Sequence, residues 1–150
     1  MSDHFPEGLL MNYHLMFKKF KKEAILAVQK AVKAGLWRSE REPAYDILRA
    51  MFTNLNTIYG LPTLVLIVDD HEYYSRVTDM IALPKPSLVS ALHEYRHHMQ
   101  HYGLGHYEDD EIDARGWSVS LFRKALPKSF KKAWSEGKIW FMPPYPTEQE

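Results

Sequence analysis

The strongest constraint on the fold is the stretch Leu88–Gly103, which reads Leu-Val-Ser-Ala-Leu-His-Glu-Tyr-Arg-His-His-Met-Gln-His-Tyr-Gly. Leu88, Leu92, Tyr95 and Met99 recur at three- and four-residue intervals, which lines them along one face of an α-helix. Ser87, behind Pro84-Lys85-Pro86, is a suitable N-cap, and Gly103 a suitable stop. The element is expected to be a helix buried along its length. On an adjacent face His93 and His97 stand one turn apart, and Glu94 completes a His-Glu-x-x-His pattern. Two imidazoles at that spacing meet one ion as neutral ligands, and Glu94 reaches a water on that ion as its base. Burying two histidines and a carboxylate unpaired is costly, so the pattern on a core helix favours a metal over packing alone.

A metal held this way needs a third protein donor. The chain has no cysteine, which leaves imidazoles and carboxylates as ligands, removes disulfides and fits a reducing compartment. A second helix is expected over Asp110–Ala125, with the stripe Ala114, Trp117, Ser118, Leu121, Phe122 and Ala125. Glu111 falls on that stripe, where an acid is misplaced unless something binds it, and it is the favoured third ligand. His106, after the turn Gly103-Leu104-Gly105, is the alternative. His101 lies about 12 Å along the helix from His93, too far to share an ion. His98 points about 100° away from His97 and is left to support, substrate or solvent. Asp113, Asp69 and Asp79 are equal candidates to brace a ligating imidazole. Two histidines and a glutamate with an open fourth position is the ligand set of catalytic zinc, so Zn2+ is the expected cofactor; iron and manganese accept the same donors.

The remaining chain reads as one α+β domain. Residues 1–12 form a loose lead-in. A first helix is expected over Tyr13–Lys33, with Phe17, Phe20, Ala24, Val28 and Ala31 inward and Lys18, Lys19, Lys21, Lys22 and Lys30 on a solvated face, ending at Gly35. A second spans Glu42–Tyr59, opened by Pro43 and closed by Gly60. Thr63–Val68 reads as a buried strand and Tyr74–Leu83 as a less regular one, joined by a hairpin at Asp69–Tyr73. A short helical turn over 128–137 and a C-terminal tail over 138–150 complete the chain. Net charge is zero, which gives no reason to expect a nucleic-acid partner. No basic-then-apolar leader and no apolar run of spanning length occurs, so a cytoplasmic protein without a membrane segment is expected. Oligomeric state is not legible.

His93-Glu94-Tyr95-Arg96-His97, followed by Glu111-Ile112-Asp113-Ala114-Arg115-Gly116-Trp117, resembles the gluzincin zinc metallopeptidases. The likeness is nearest to their small intracellular members, the minigluzincins and the ImmA/IrrE-type peptidases, and covers mainly Thr63–Ala125. The resemblance implies a zincin-like minimal domain: two N-terminal helices, a sheet of two or three strands, the active helix and a following glutamate helix. It implies zinc-dependent hydrolysis of a peptide or protein substrate, with His93, His97 and Glu111 as ligands and Glu94 as general base. Arg115 stands where larger gluzincins often carry an acid, and their second subdomain has no counterpart here. Tyr95, His98, His106 and Tyr107 are the candidate donors to the reacting oxygen. Ser75–Leu83, as an edge strand, would pair with an extended substrate. Two other readings stay open: a zinc-binding module with little or self-inhibited activity, its cleft covered by Trp140–Pro146, and a metal-free helical protein using its lysine-rich helix to contact a partner.

Overall fold

The buried tyrosines show how the layers are joined in the computed structural model, which describes Tyr13–Met142. Tyr95 is fully buried; its ring stacks on Phe52 at 5.6 Å and its hydroxyl donates to Asn56 Oδ1 at 2.7 Å. Tyr45 donates across the core to the carbonyl of Leu83 at 2.7 Å. These contacts tie helix α2 (Arg41–Tyr59) to helix α3 (Leu88–His101) and to strand β3 (Met80–Leu83). The described residues form an α+β domain with five α-helices and one three-stranded mixed sheet. Helix α1 (Lys22–Lys33) packs on α2, and α4 (Asp110–Ala125) lies along α3. Helix α5 (Pro127–Ser135) follows α4 directly. No helix among the described residues is long and apolar enough to cross a membrane.

Helices α2, α3 and α4 lie within one residue of their expected ends. Ser87 Oγ accepts from Ser90 N, Gly60 closes α2 at φ +67°, and Asp109 caps α4 through Glu111 N and Ile112 N. The first helix is shorter than its periodicity predicts: Tyr13–Leu15 is a single 3-10 turn, and the helix begins only at Lys22. Here tertiary bonds replace helical ones. Phe17 N donates to Ser120 Oγ, Ser120 Oγ donates to the Tyr13 carbonyl, and Tyr107 Oη donates to the Met16 carbonyl. Lys18 and Lys19 are exposed on this non-helical segment rather than on a helix face. The short turn expected over 128–137 is a full helix, with Pro127 at its first position.

The sheet departs most from expectation. Tyr74–Leu83 is two strands, β2 (Tyr73–Ser75) and β3, joined by a turn over Arg76–Asp79 in which Asp79 takes φ +47°. Its carboxylate accepts from the hydroxyls of Tyr74 and Tyr102, both at 2.7 Å, which holds the turn. β1 (Val65–Val68) pairs with β3 in parallel, and β2 pairs with β3 antiparallel, giving the order β1-β3-β2. Asp69–Tyr73 is therefore no hairpin, and β3 is the central strand. β1 was expected to be buried, yet Val65 and Val68 are exposed and only Leu66 is fully enclosed. An edge strand with one side of the sheet open to solvent needs only one apolar face.

Asp113 is fully buried on α4 beside Arg96 on α3. Burial alone would raise its carboxyl pKa, but the bonds from Arg96, Gln100 and the Tyr107 N–H outweigh this and hold it below the usual carboxylate range. Removing one partner of such a pair strands a buried charge, so Asp113→Ala should lose about 3–5 kcal/mol in urea unfolding. The folded value lies below the unfolded one of about 3.9, so this stabilisation is complete above that pH and fades as pH falls through the folded value. The wild-type chain should thus lose stability below about pH 4, and Asp113→Ala should lose less over the same acid range.

Candidate metal centre

Glu111 stands in the first turn of α4, its amide anchored by the Asp109 cap. From there its carboxylate reaches both histidines of α3. Oε1 lies 3.1 Å from His93 Nε2, and Oε2 lies 2.9 Å from His97 Nε2. The three candidate donor atoms fall within 4.8 Å of one another. The position of Glu111 differs from the expectation in one respect. Its side chain is 54% exposed at the mouth of a cleft and does not belong to the buried stripe of α4. The stripe argument selected a residue that is brought to the histidines by its place at the helix start.

The hydrogen-bond pattern around His97 defines which nitrogen faces Glu111. Gln100 Nε2 donates to the Asp110 carbonyl and to Asp113 Oδ2, both at 2.8 Å, so its Oε1 is the atom facing His97 Nδ1 at 2.7 Å. Nδ1 therefore carries the proton, and a neutral His97 presents a bare Nε2 lone pair to Glu111. Two acceptors at 2.9 Å repel unless a positive charge sits between them. A proton on His97 is one solution: burial opposes the imidazolium, but bonds to Glu111 and Gln100 raise its pKa above the ordinary histidine value. A divalent cation is the other. In tetrahedral geometry at about 2.0 Å per bond, adjacent donor atoms sit roughly 3.3 Å apart. The observed 3.1 and 2.9 Å, each to a different oxygen of Glu111, lie near that edge, and one donor atom from each residue lies within 4.8 Å of the other two. The donor set, its spacing and the tautomer of His97 all fit a metal ion.

Support for the two histidines is unequal. His97 is braced through Gln100 to Asp113, so Asp113 acts at one remove, and neither Asp69 nor Asp79 touches either ring. His93 Nδ1 is buried with no hydrogen-bond partner among the described residues; its ring rests near Phe141 at 6.1 Å between centroids. Arg115, at the position of the acid expected from larger gluzincins, stacks over Trp140 and Phe141 instead.

Glu94 is buried beside the cluster, and burial together with the neighbouring Glu72 and Glu111 pushes its pKa up to about 8, against the pull of His97. The two carboxyls of Glu94 and Glu72 share a hydrogen bond. The cleft of about 460 Å³ over these groups is walled by Glu72, Tyr73, Tyr74, Arg76 and Trp140. None of the four expected oxygen-stabilising donors lines it. Tyr95 is committed to Asn56, and His98 is enclosed between Tyr74 and the Pro62 carbonyl. His106 and Tyr107 pack on Phe17 and do not join the cluster, and His101 stays outside it as well. Gln100, Glu72 and Arg76 escaped the sequence reading, whereas Trp140 was expected at the cleft as part of a covering tail and stands in its wall. Gln100 had a usable signal, three residues after His97 and hence on its face; Glu72 and Arg76 come from irregular segments with no periodicity.

Comparison with family models, curated proteins and solved structures finds no match to this chain.

A cation bound at this cluster depends on the Gln100 brace as well as on its ligands. Titration against a chromophoric chelator should show Zn2+ affinity falling about 10–100-fold in Gln100→Ala. Glu111→Ala should fall further, and Asp69→Ala should leave affinity unchanged.

Proposed function

We propose that this protein is a zinc-dependent metallopeptidase of the gluzincin kind, with a zincin-like minimal fold. The observation that carries the reading is the Glu111 carboxylate facing Nε2 of both histidines, with Glu94 buried alongside. A second feature agrees: the cleft over the cluster is lined in part by Tyr73 and Tyr74 of β2. When bound, zinc supplies a Lewis acid that polarises the scissile carbonyl and acidifies the attacking water.

The chain's own groups do the rest. His93, His97 and Glu111 would hold the ion, while Gln100 and Asp113 fix the His97 ring. Glu94 takes the proton of the attacking water and delivers it to the departing amine. Its raised basicity, set by burial and by Glu72, is drawn back toward neutrality by a nearby divalent charge. β2 is an edge strand on the cleft side, paired on one side with β3 among the described residues. An extended peptide pairs with β2, not with β3 as the sequence suggested, and lies across the cluster. Arg76 is the one cationic side chain lining the cleft among the described residues, and it is the nearest replacement for the missing oxygen-stabilising donor.

A second reading rests on Trp140. It is 62% exposed yet forms part of the cleft wall, and the chain continues from there toward residue 150. In that reading the protein binds zinc but is self-inhibited by its C-terminal segment. Residues 143–150, the part of the expected covering segment that matters most, lie outside the described residues.

Glu94→Gln separates the base from the metal site. It should keep near-stoichiometric zinc and lose peptide hydrolysis by about 10²–10⁴-fold. Hydrolysis at wild-type rate by the zinc-loaded variant would exclude Glu94 as base. Truncation after Met142, which spares the buried Ile139, Phe141 and Met142, should raise activity under the second reading and leave it unchanged under the first.

A further inference from the structure

A second cavity of about 430 Å³ opens between the segment Phe17–Lys21 and the turn Leu104–His106. It shares no lining residue with the cleft over His93 and His97. We propose that this cavity binds a small aromatic carboxylate, held by the free edge of Arg96 and by Lys19 and Lys21.

Arg96 is the anchor. It is 4% exposed, and its five N–H donors are only partly used. Nε and Nη2 donate to Asp113, while Nη1 finds the thioether of Met99 at 3.7 Å, a weak acceptor. Three N–H groups of a buried guanidinium thus lack an oxygen acceptor among the described residues, one of them facing only the thioether. The rings of Phe17, at 5.1 Å, and Trp117, at 5.3 Å, also pack against the guanidinium, which leaves its unused N–H groups as the place where a ligand meets it. A carboxylate or similar planar oxoanion fits that approach.

The surrounding charge and shape select among anions. No carboxylate lines the cavity, whereas Lys19 and Lys21 do. Asp113 already balances the charge of Arg96, so the net attraction for an anion comes from the two lysines. Lys21 is partly restrained, donating to the Ile58 carbonyl at 3.2 Å above the Tyr59 ring. Lys19 is exposed and makes no such bond. Phe20, Tyr59 and Leu104 give the cavity an apolar wall suited to a flat ring. A heavily hydrated anion with no apolar part gains nothing from that wall.

The test uses the full chain and amide-resolved NMR, with 3-phenylpropionate as probe, 3-phenylpropionamide as its uncharged twin and inorganic phosphate as a ring-free anion. Arg96 is left intact because Asp113 depends on it. The carboxylate should shift the amides of Gly105 and His106 and the indole N–H of Trp117, with Kd on the order of 1 mM. Lys19→Ala/Lys21→Ala, altering two exposed side chains, should keep the spectrum of the fold and weaken binding about tenfold. The amide and phosphate should bind at least about tenfold more weakly than the carboxylate. Absence of shifts at Gly105 and His106 overturns the proposal. So does equal binding of amide or phosphate, or an affinity unchanged in the double variant. Shifts confined to His93–His97 identify the probe as bound at the metal cluster and overturn it equally. The outcome is independent of whether the chain hydrolyses peptides.

Discussion

The carboxylate of Asp113 is the point on which the arrangement depends. It accepts from Arg96 Nε and Nη2, Gln100 Nε2, and the backbone N–H groups of His106 and Tyr107, at 2.8, 3.3, 2.8, 2.9 and 2.9 Å. A buried ion pair of this kind adds little net stability over an apolar pair, but it admits only one registry of the elements that carry it. Here those elements are α3, α4 and the turn between them. Asp113 sits two residues after Glu111, so the same registry that pairs Asp113 with Arg96 brings Glu111 to the histidines.

That coupling gives the candidate metal centre its character. One candidate ligand comes from a helix start and two from a helix interior, and the helix caps and the His97 brace are made by bonds that have nothing to do with a metal. Ser87 and Asp109 cap the helices, and Gln100 fixes the His97 ring. Preorganisation of this sort lowers the cost of gathering ligands when an ion arrives. The charge balance follows the same logic. Glu111 and His97 stabilise each other's ionised forms without a metal, and Glu94 is driven toward its protonated form by burial and by Glu72. A divalent ion bound there would take the place of the proton on His97 and oppose the bias on Glu94.

The aromatic packing has two roles around this frame. Phe52, Tyr95 and Trp117 form a continuous stack linking α2, α3 and α4. The rings of Phe17 and Trp117 pack against the Arg96 guanidinium, which is shielded from water without being neutralised by them. Arg96 also lines a separate cavity, so the structure has two chemically distinct concavities with no lining residue in common.

What was legible in the residues alone was local and periodic. Three helices, their caps at Ser87 and stop at Gly60, the α+β class and the pairing of His93 with His97 all follow from 3.6-residue spacing and from side chains that satisfy their own helix ends. Glu111 was found too, although through a burial argument that its exposure contradicts. What only tertiary structure decided was everything set by partners distant in sequence. Tyr13–Lys21 carries helical periodicity but gives backbone bonds to Ser120 and Tyr107, so beyond the 3-10 turn Tyr13–Leu15 it is not helical. β3 became the centre of a mixed sheet because β1 reaches it by a parallel crossover, which no turn signal announces. Gln100, Asp113, Glu72 and Trp140 acquired their places around the cluster for the same reason. Periodicity describes which face of an element is apolar; which polar groups meet across the gap depends on how those faces are docked.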